Sequence, residues 1–314
     1  MQNNYKVVFI GGLSLGSKIL DCFLANSNIE VGLLYELQLD SHEKVTYDLM
    51  TNKIENRSVK YKCCKKLDGQ DIKNIVAYKP DYIFVVNWRT LFDNKLLTAS
   101  KLGTIGIHAS DLPKYRGFAP INWAIINDEK EIGISVFYLD KEVDSGDIIE
   151  KSFIKIDEED DINSLNIKVE NEYLELFKKI ISNFDNIKKT KQIGVPTYTC
   201  KRKPEDGYID FSNYTAREIF NLVRALTYPY PMAFLKFKDE YIFVNKVKVK
   251  TDKKYVGIIP GRVVLVDNNK ETVDILCKDG YIVELKEVFR SKSFIYDIPK
   301  FIKPNCIFKF GDTV

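Results

Sequence analysis

Asp81-Tyr-Ile-Phe-Val-Val86 and Gly103-Thr-Ile-Gly-Ile-His108 are the two stretches on which the fold turns. The first is an unbroken aromatic and β-branched run, apolar at both alternating sets of positions. That is the pattern of a strand buried on both faces. A helical spacing over residues 72–77 precedes it and stops at Lys79-Pro80, because the residue before a proline is driven out of the helical region. A second helix-like stretch, 91–99, joins it to the next strand. Upstream, residues 7–10 form a short strand ending at Gly11-Gly12, followed by Leu15, Ile19, Leu20 and Phe23 at helical spacing. Residues 31–35 read as another strand. Strands alternating with helices predict an α/β fold with a parallel sheet covered on both faces. Residues 132–139 and 148–156 continue the strands. Residues 162–184 form a long amphipathic helix, with Leu165, Val169, Tyr173, Leu176, Phe177 and Ile180 on one side.

The texture then changes. Residues 188–191 are a basic, polar hinge, and beyond them come one helix (216–226), a Tyr-Pro-Tyr-Pro break at 228–231 and five short strands (234–237, 241–249, 262–266, 272–277, 281–288) separated by turn signals such as Lys278-Asp-Gly280. That predicts a small β-rich, barrel-like second domain. The expected division is 1–195 and 196–314, in line with two domains for a chain of 314 residues.

Composition narrows the function classes. Lys and Arg total 47 against 44 Asp and Glu, a net charge of +3, so bulk charge does not announce nucleic acid or membrane. Hydrophobic residues at 45% exclude a disordered chain. The six cysteines (Cys22, Cys63, Cys64, Cys200, Cys277, Cys306) form no CxxC and no metal-ligand spacing, which predicts reduced thiols and no metal. The N-terminus lacks a signal-peptide core and no apolar run approaches a membrane span, so the expected location is cytoplasmic.

Gly11-Gly-Leu-Ser-Leu-Gly16-Ser17-Lys18 nearly spells a phosphate loop, but its Ser and Lys are transposed, so the glycines are expected to make a tight strand-to-helix turn. Only two histidines occur. His42 lies in Asp-Ser-His-Glu and reads as a solvated loop residue. His108 ends a strand and opens the loop Ala-Ser-Asp-Leu-Pro-Lys-Tyr-Arg-Gly117, at the strand end where open α/β sheets bind ligands. Asp144, in Val143-Asp-Ser-Gly-Asp147, follows another strand. A carboxylate beside an imidazole makes an acid/base pair that works near neutral pH.

His108-Ala-Ser-Asp-Leu-Pro-Lys-Tyr-Arg-Gly-Phe-Ala-Pro-Ile-Asn-Trp123 and Val143-Asp-Ser-Gly-Asp-Ile-Ile149 resemble the 10-formyltetrahydrofolate-dependent formyltransferases. Weaker similarity continues through Lys201-Arg-Lys-Pro-Glu-Asp-Gly-Tyr-Ile-Asp-Phe211 and Asn221-Leu-Val-Arg-Ala-Leu-Thr-Tyr-Pro-Tyr-Pro231. The resemblance implies a Rossmann-like formyltransferase domain followed by a small open β-barrel. It implies 10-formyltetrahydrofolate as co-substrate, with His108 and Asp144 as the catalytic pair. The family's catalytic Asn falls on Gly106, so either Asn87, Ser110, Asn122 or a water supplies the missing donor, or the chain relies on His108. The folate loops would be Asn87, Trp88, Arg89 and Leu91 on one side and Tyr138, Leu139 and Asp140 on the other.

Two branches are set aside and a third is demoted. Glycinamide ribonucleotide formyltransferases end after the first domain, and folate-deformylating relatives carry a preceding regulatory domain. In methionyl-tRNA formyltransferases a basic insertion after the second strand grips the tRNA, whereas here Glu36-Leu-Gln-Leu-Asp-Ser-His-Glu-Lys44 is acidic to neutral. Lys246, Lys248, Lys250, Lys253 and Lys254 read as the solvent face of an edge strand. The expected acceptor is therefore a nucleotide-linked amino sugar, a pseudaminic-acid-type sugar among the options, contacted by Ser110, Lys114, Tyr115, Arg116, Arg202 and Lys203. Methionyl-tRNA is the alternative, and a non-catalytic folate- or sugar-binding relative is the alternative of another class. A homodimer is left open, and neither nucleic acid nor membrane is expected as a partner.

Overall fold

A computed structural model describes residues 4–40, 47–237 and 240–290, with 304, 306 and 308. His42 lies outside the described residues. Contacts divide the chain into two compact units. The first is Met1–Pro120, Ile132–Ile154 and Ile167–Thr199; the second is Ile121–Glu131, Lys155–Asn166 and Cys200–Val314.

In chain order the elements are β1 (Tyr5–Gly11), α1 (Leu13–Leu24), β2 (Ile29–Leu37), α2 (Met50–Ile54), β3 (Lys60–Cys64), α3 (Gly69–Tyr78), β4 (Tyr82–Val86), α4 (Asn94–Leu97), β5 (Gly103–His108), β6 (Arg116–Gly117), α5 (Pro120–Ile126), β7 (Glu131–Tyr138), β8 (Ile148–Lys155), α6 (Ile162–Ser182) and β9 (Tyr198–Thr199). The large sheet runs β3-β2-β1-β4-β5-β7-β8. From β3 to β5 it is parallel, with Phe9 opposite Phe84 and Val85 opposite Gly106. Strand periodicity sends alternate residues to opposite faces. Val8, Ile10, Ile83 and Val85 form one core with Leu33, Tyr35, Leu67, Ile75 and Leu96. Phe9 and Phe84 join an aromatic cluster on the other face, where Phe84 lies 4.6 Å from the Phe23 ring and 6.1 Å from that of Phe177 on α6.

The sheet departs from the all-parallel expectation at β7, which pairs antiparallel to β5, with Ile105 opposite Tyr138 and His108 opposite Ser135. The predicted helix over 91–99 shrinks to the single turn of α4. Asp93 caps it, and Leu91, 81% exposed, lies outside it. The Gly-rich turn serves close packing, since a Cβ on Gly12 would lie 2.5 Å from Cβ of Leu37. Lys18, the transposed lysine, pairs with Glu170 at 2.8 Å.

The second unit holds α7 (Ala216–Arg224), β10 (Ala233–Phe237), β11 (Glu240–Lys250), β12 (Val263–Asp267), β13 (Thr272–Leu276) and β14 (Ile282–Arg290). Thr215 and Glu218 close a capping box at the start of α7. The five strands form an antiparallel sheet ordered β10-β11-β14-β13-β12. This corrects the edge-strand reading of the lysines. β11 is interior, and Lys250 is half-buried, paired with Asp274 at 2.8 Å and also with Glu284. Lys246 and Lys248 stay exposed because their alternate neighbour Val247 takes the inward face. No helix among the described residues is long and apolar enough to cross a membrane.

Candidate active site

The parallel register brings two loop openings level at the C-terminal edge of the sheet. Val85 pairs with Gly106, so the loop that Asn87 opens after β4 and the loop that His108 opens after β5 start from the same edge of the sheet. His108 is buried, and Ser135 lies opposite it on β7. Its Nε2 lies 2.7 Å from the Tyr115 carbonyl oxygen. Its Nδ1 lies 3.4 Å from Oδ2 of Asp144. That separation is longer than an ordinary N–H···O bond, as acid/base pairs without substrate often are. Asp144 Oδ2 also accepts the Gly117 backbone N–H at 2.8 Å, while Oδ1 bonds to no described residue.

Three non-glycine residues here hold left-handed backbone: Asn87 at φ 55°, Tyr115 at 57° and Asp144 at 52°. Such conformations cost energy and persist only where surrounding bonds over-determine them; they cluster at functional sites. For Tyr115 and Asp144 the bonds are visible. The Tyr115 N–H donates to Thr197 Oγ1, and the Asp144 and Gly146 carbonyls both accept from Gln192 Nε2 at 2.8 Å.

The replacements considered for the missing Asn now separate. Ser110 Oγ donates to the Lys114 carbonyl. Asn122 Nδ2 donates to the Ala225 carbonyl within the second unit. Asn87 alone of the three bonds to no described residue through its side chain. At Gly106 itself, a Cβ would fall 2.5 Å from Leu139 Cδ2, so Leu139 occupies the space an Asn would need.

The folate-loop residues do not all gather at this edge. Trp88 stacks with Phe92 at 6.5 Å, donates to Thr90 and packs on the core. Arg89 pairs with Asp40 at 3.3 Å, and Leu91 is exposed. Tyr138 sits opposite Ile105, and its ring covers Gly103 at the start of β5, the end away from His108. Burial pushes its phenol above the usual tyrosine range. Asp140 is exposed and accepts its neighbour's N–H.

Among the acceptor-binding candidates, Lys114 is exposed beside Asp111 at 3.8 Å, and Arg116 is buried with its Nη2 on Gln192 Oε1 at 2.6 Å. In the second unit, Arg202 lies over Trp123 at 5.0 Å and donates to the Asp206 carbonyl, and burial lowers its pKa. The Lys203 N–H donates to Asp206.

Three neighbours of the pair escaped sequence reasoning. Gln192 and Thr197 sit in irregular chain and carry no motif. Tyr173 looked like one more apolar position of its helix. It is fully buried, its hydroxyl lies 3.5 Å from the Ser135 carbonyl, and burial pushes its pKa far up, so it stays neutral.

Comparison with known proteins gives the family context. Residues 37–181 match the model "Formyl transferase", and 201–305 match "Formyl transferase, C-terminal domain". A methionyl-tRNA formyltransferase of Thermodesulfovibrio yellowstonii is 38% identical over 200 residues, covering 62% of this chain and 63% of that one. One from Clostridioides difficile is 33% identical over 259 residues, covering 81% of each. Among solved structures, the N-formyltransferase of Helicobacter canadensis, in complex with folinic acid and dTDP-3-aminofucose, superposes with TM-score 0.66 at 18% identity, over 90% of this chain and 99% of that one. At that identity the likeness is one of fold.

The sugar expectation is therefore corrected: the sequence relatives at 30–38% identity are methionyl-tRNA formyltransferases. The physical reason lies in the charges that argued against tRNA. Glu36 is buried, accepting from Met50 N and from Tyr61 Oη at 2.6 Å, and Asp40 is paired with Lys65 and Arg89. Neither is a bare surface charge facing an incoming phosphate.

Proposed function

The chain belongs to the formyl transferase family, and from that premise we propose that it moves the formyl group of 10-formyltetrahydrofolate onto the amino group of methionyl-tRNA. The observation that carries this reading is the His108–Asp144 pair at the C-terminal edge of β5, with a carboxylate oxygen that bonds to no described residue.

The amine nitrogen forms a bond to the formyl carbon, the bond from that carbon to the folate nitrogen breaks, and the amine's proton must end on the departing nitrogen. His108, between the Tyr115 carbonyl and the Asp144 carboxylate, steadies the negative charge developing on the formyl oxygen. Asp144 is held through Oδ2, which leaves Oδ1 to take the amine's proton. The Asn87 amide supplies a donor that Gly106 lacks. For the tRNA, exposed Lys246 and Lys248, with Lys253 and Lys254 beyond the strand, offer charges to phosphates.

Phosphate recognition releases counterions, so salt dependence is the test. With three or more phosphate contacts, KM for methionyl-tRNA should rise more than about tenfold between roughly 50 and 200 mM salt. KM for 10-formyltetrahydrofolate should move little over the same range. A flat KM for methionyl-tRNA would remove tRNA phosphates from recognition.

A further inference from the structure

We infer that Gln192 is a positioning residue, whose side-chain amide clamps the Asp144 loop in register with His108. The inference rests on the proposed role of that pair. The segment 190–199 is irregular except for β9, and most of it is exposed, yet Gln192 turns inward. Its Nε2 donates to two carbonyls of one turn, Asp144 and Gly146. Its Oε1 accepts from Nη2 of Arg116, in the loop that His108 opens. One amide thus ties the two loops whose side chains meet at 3.4 Å.

The rest of the segment fixes the other partner of His108. Thr197 accepts the Tyr115 N–H through Oγ1 at 2.9 Å and the Arg116 N–H through its carbonyl, and donates its own N–H to the Pro113 carbonyl. Thr199 Oγ1 donates to the Arg116 carbonyl. The bonds at Thr197 hold Tyr115 at its positive φ, with its carbonyl oxygen 2.7 Å from His108 Nε2. At the Ile148–Thr190 bridge the segment also joins the start of β8, just beyond Asp144.

Arg116 gives the clamp a second consequence. It is 7% exposed, makes no ion pair with a described carboxylate, and its Nε bonds to no described group. A buried guanidinium needs its remaining acceptors. Removing Gln192 with leucine therefore disturbs Arg116 as well as the Asp144 turn. Gln192→Glu separates the two effects. A carboxylate keeps the size and strengthens the Arg116 contact, but it sets an acceptor against the Asp144 and Gly146 carbonyls.

The test uses the full chain carrying His42→Gln, so that His108 gives the only histidine ring resonances. In Gln192→Glu, melting temperature should stay near that of the parent. The kcat should fall on the order of 10- to 100-fold, since small misplacements of reacting groups are costly. KM for 10-formyltetrahydrofolate should hold, and the His108 resonances should move. Gln192→Leu should show the same losses with a lower melting temperature. The inference is overturned if Gln192→Glu keeps its kcat, or loses it with unmoved resonances, or if only Gln192→Leu is affected. The resonance measurement needs no substrate, so it tests the clamp whether or not methionyl-tRNA is the acceptor.

Discussion

His108→Gln lowers kcat for formyl transfer by about 10²- to 10³-fold and leaves the chain folded, because it removes the group that steadies the charge on the formyl oxygen. Glutamine is the informative replacement. Its amide can still donate to the Tyr115 carbonyl that His108 Nε2 meets at 2.7 Å, so the loop keeps its anchor. What it cannot do is carry a positive charge toward the formyl oxygen or exchange a proton with Asp144. His108→Ala adds a cavity at a buried position and mixes the two effects. Steady-state kinetics with a melting curve checks this, and a His108→Gln variant near wild-type kcat removes the imidazole from the mechanism. The other histidine, His42, belongs to the stretch after the second strand, far in sequence from the loop that His108 opens.

Asp144→Asn is expected to cost kcat on the order of 10²- to 10³-fold, because it removes the negative charge while keeping an acceptor. The Asn oxygen can still take the Gly117 N–H that Oδ2 accepts at 2.8 Å. Asn also tolerates the left-handed backbone at φ 52° that this position adopts. Asp144→Ala is harsher, since it leaves a backbone N–H unpaired at a cost of about 1–3 kcal/mol. Comparing the two by kcat and by chemical denaturation separates charge from structure. Equal kcat in Asp144→Asn and the wild type would make Asp144 a structural acceptor only.

The alternation of strands and helices was legible because β1 and β4 are apolar on both faces, a pattern that only a covered sheet explains. β3, Lys60-Tyr-Lys-Cys-Cys64, was not, because an edge strand with exposed lysines lacks that pattern. The reversal of β7 left no trace either, since an apolar strand reads alike in both directions. At the site, His108 and Asp144 stood out as titratable groups at strand ends. Gln192 and Thr197 did not, because their bonds go largely to backbone atoms of loops far away in sequence. Glu36 misled in the opposite sense: a carboxylate counted as surface charge is buried against Tyr61 and the start of α2. Alternation along β11 put Lys246 and Lys248 on the solvent face, but showed neither that Lys250 pairs with Asp274 nor that the strand is interior.

The most direct measurement follows a labelled formyl group from 10-formyltetrahydrofolate in the presence of methionyl-tRNA. After the ester is hydrolysed, label is expected on N-formylmethionine, at a rate that His108→Gln and Asp144→Asn each reduce by orders of magnitude. Donor left intact, or turned over with no label on methionine, would contradict the account.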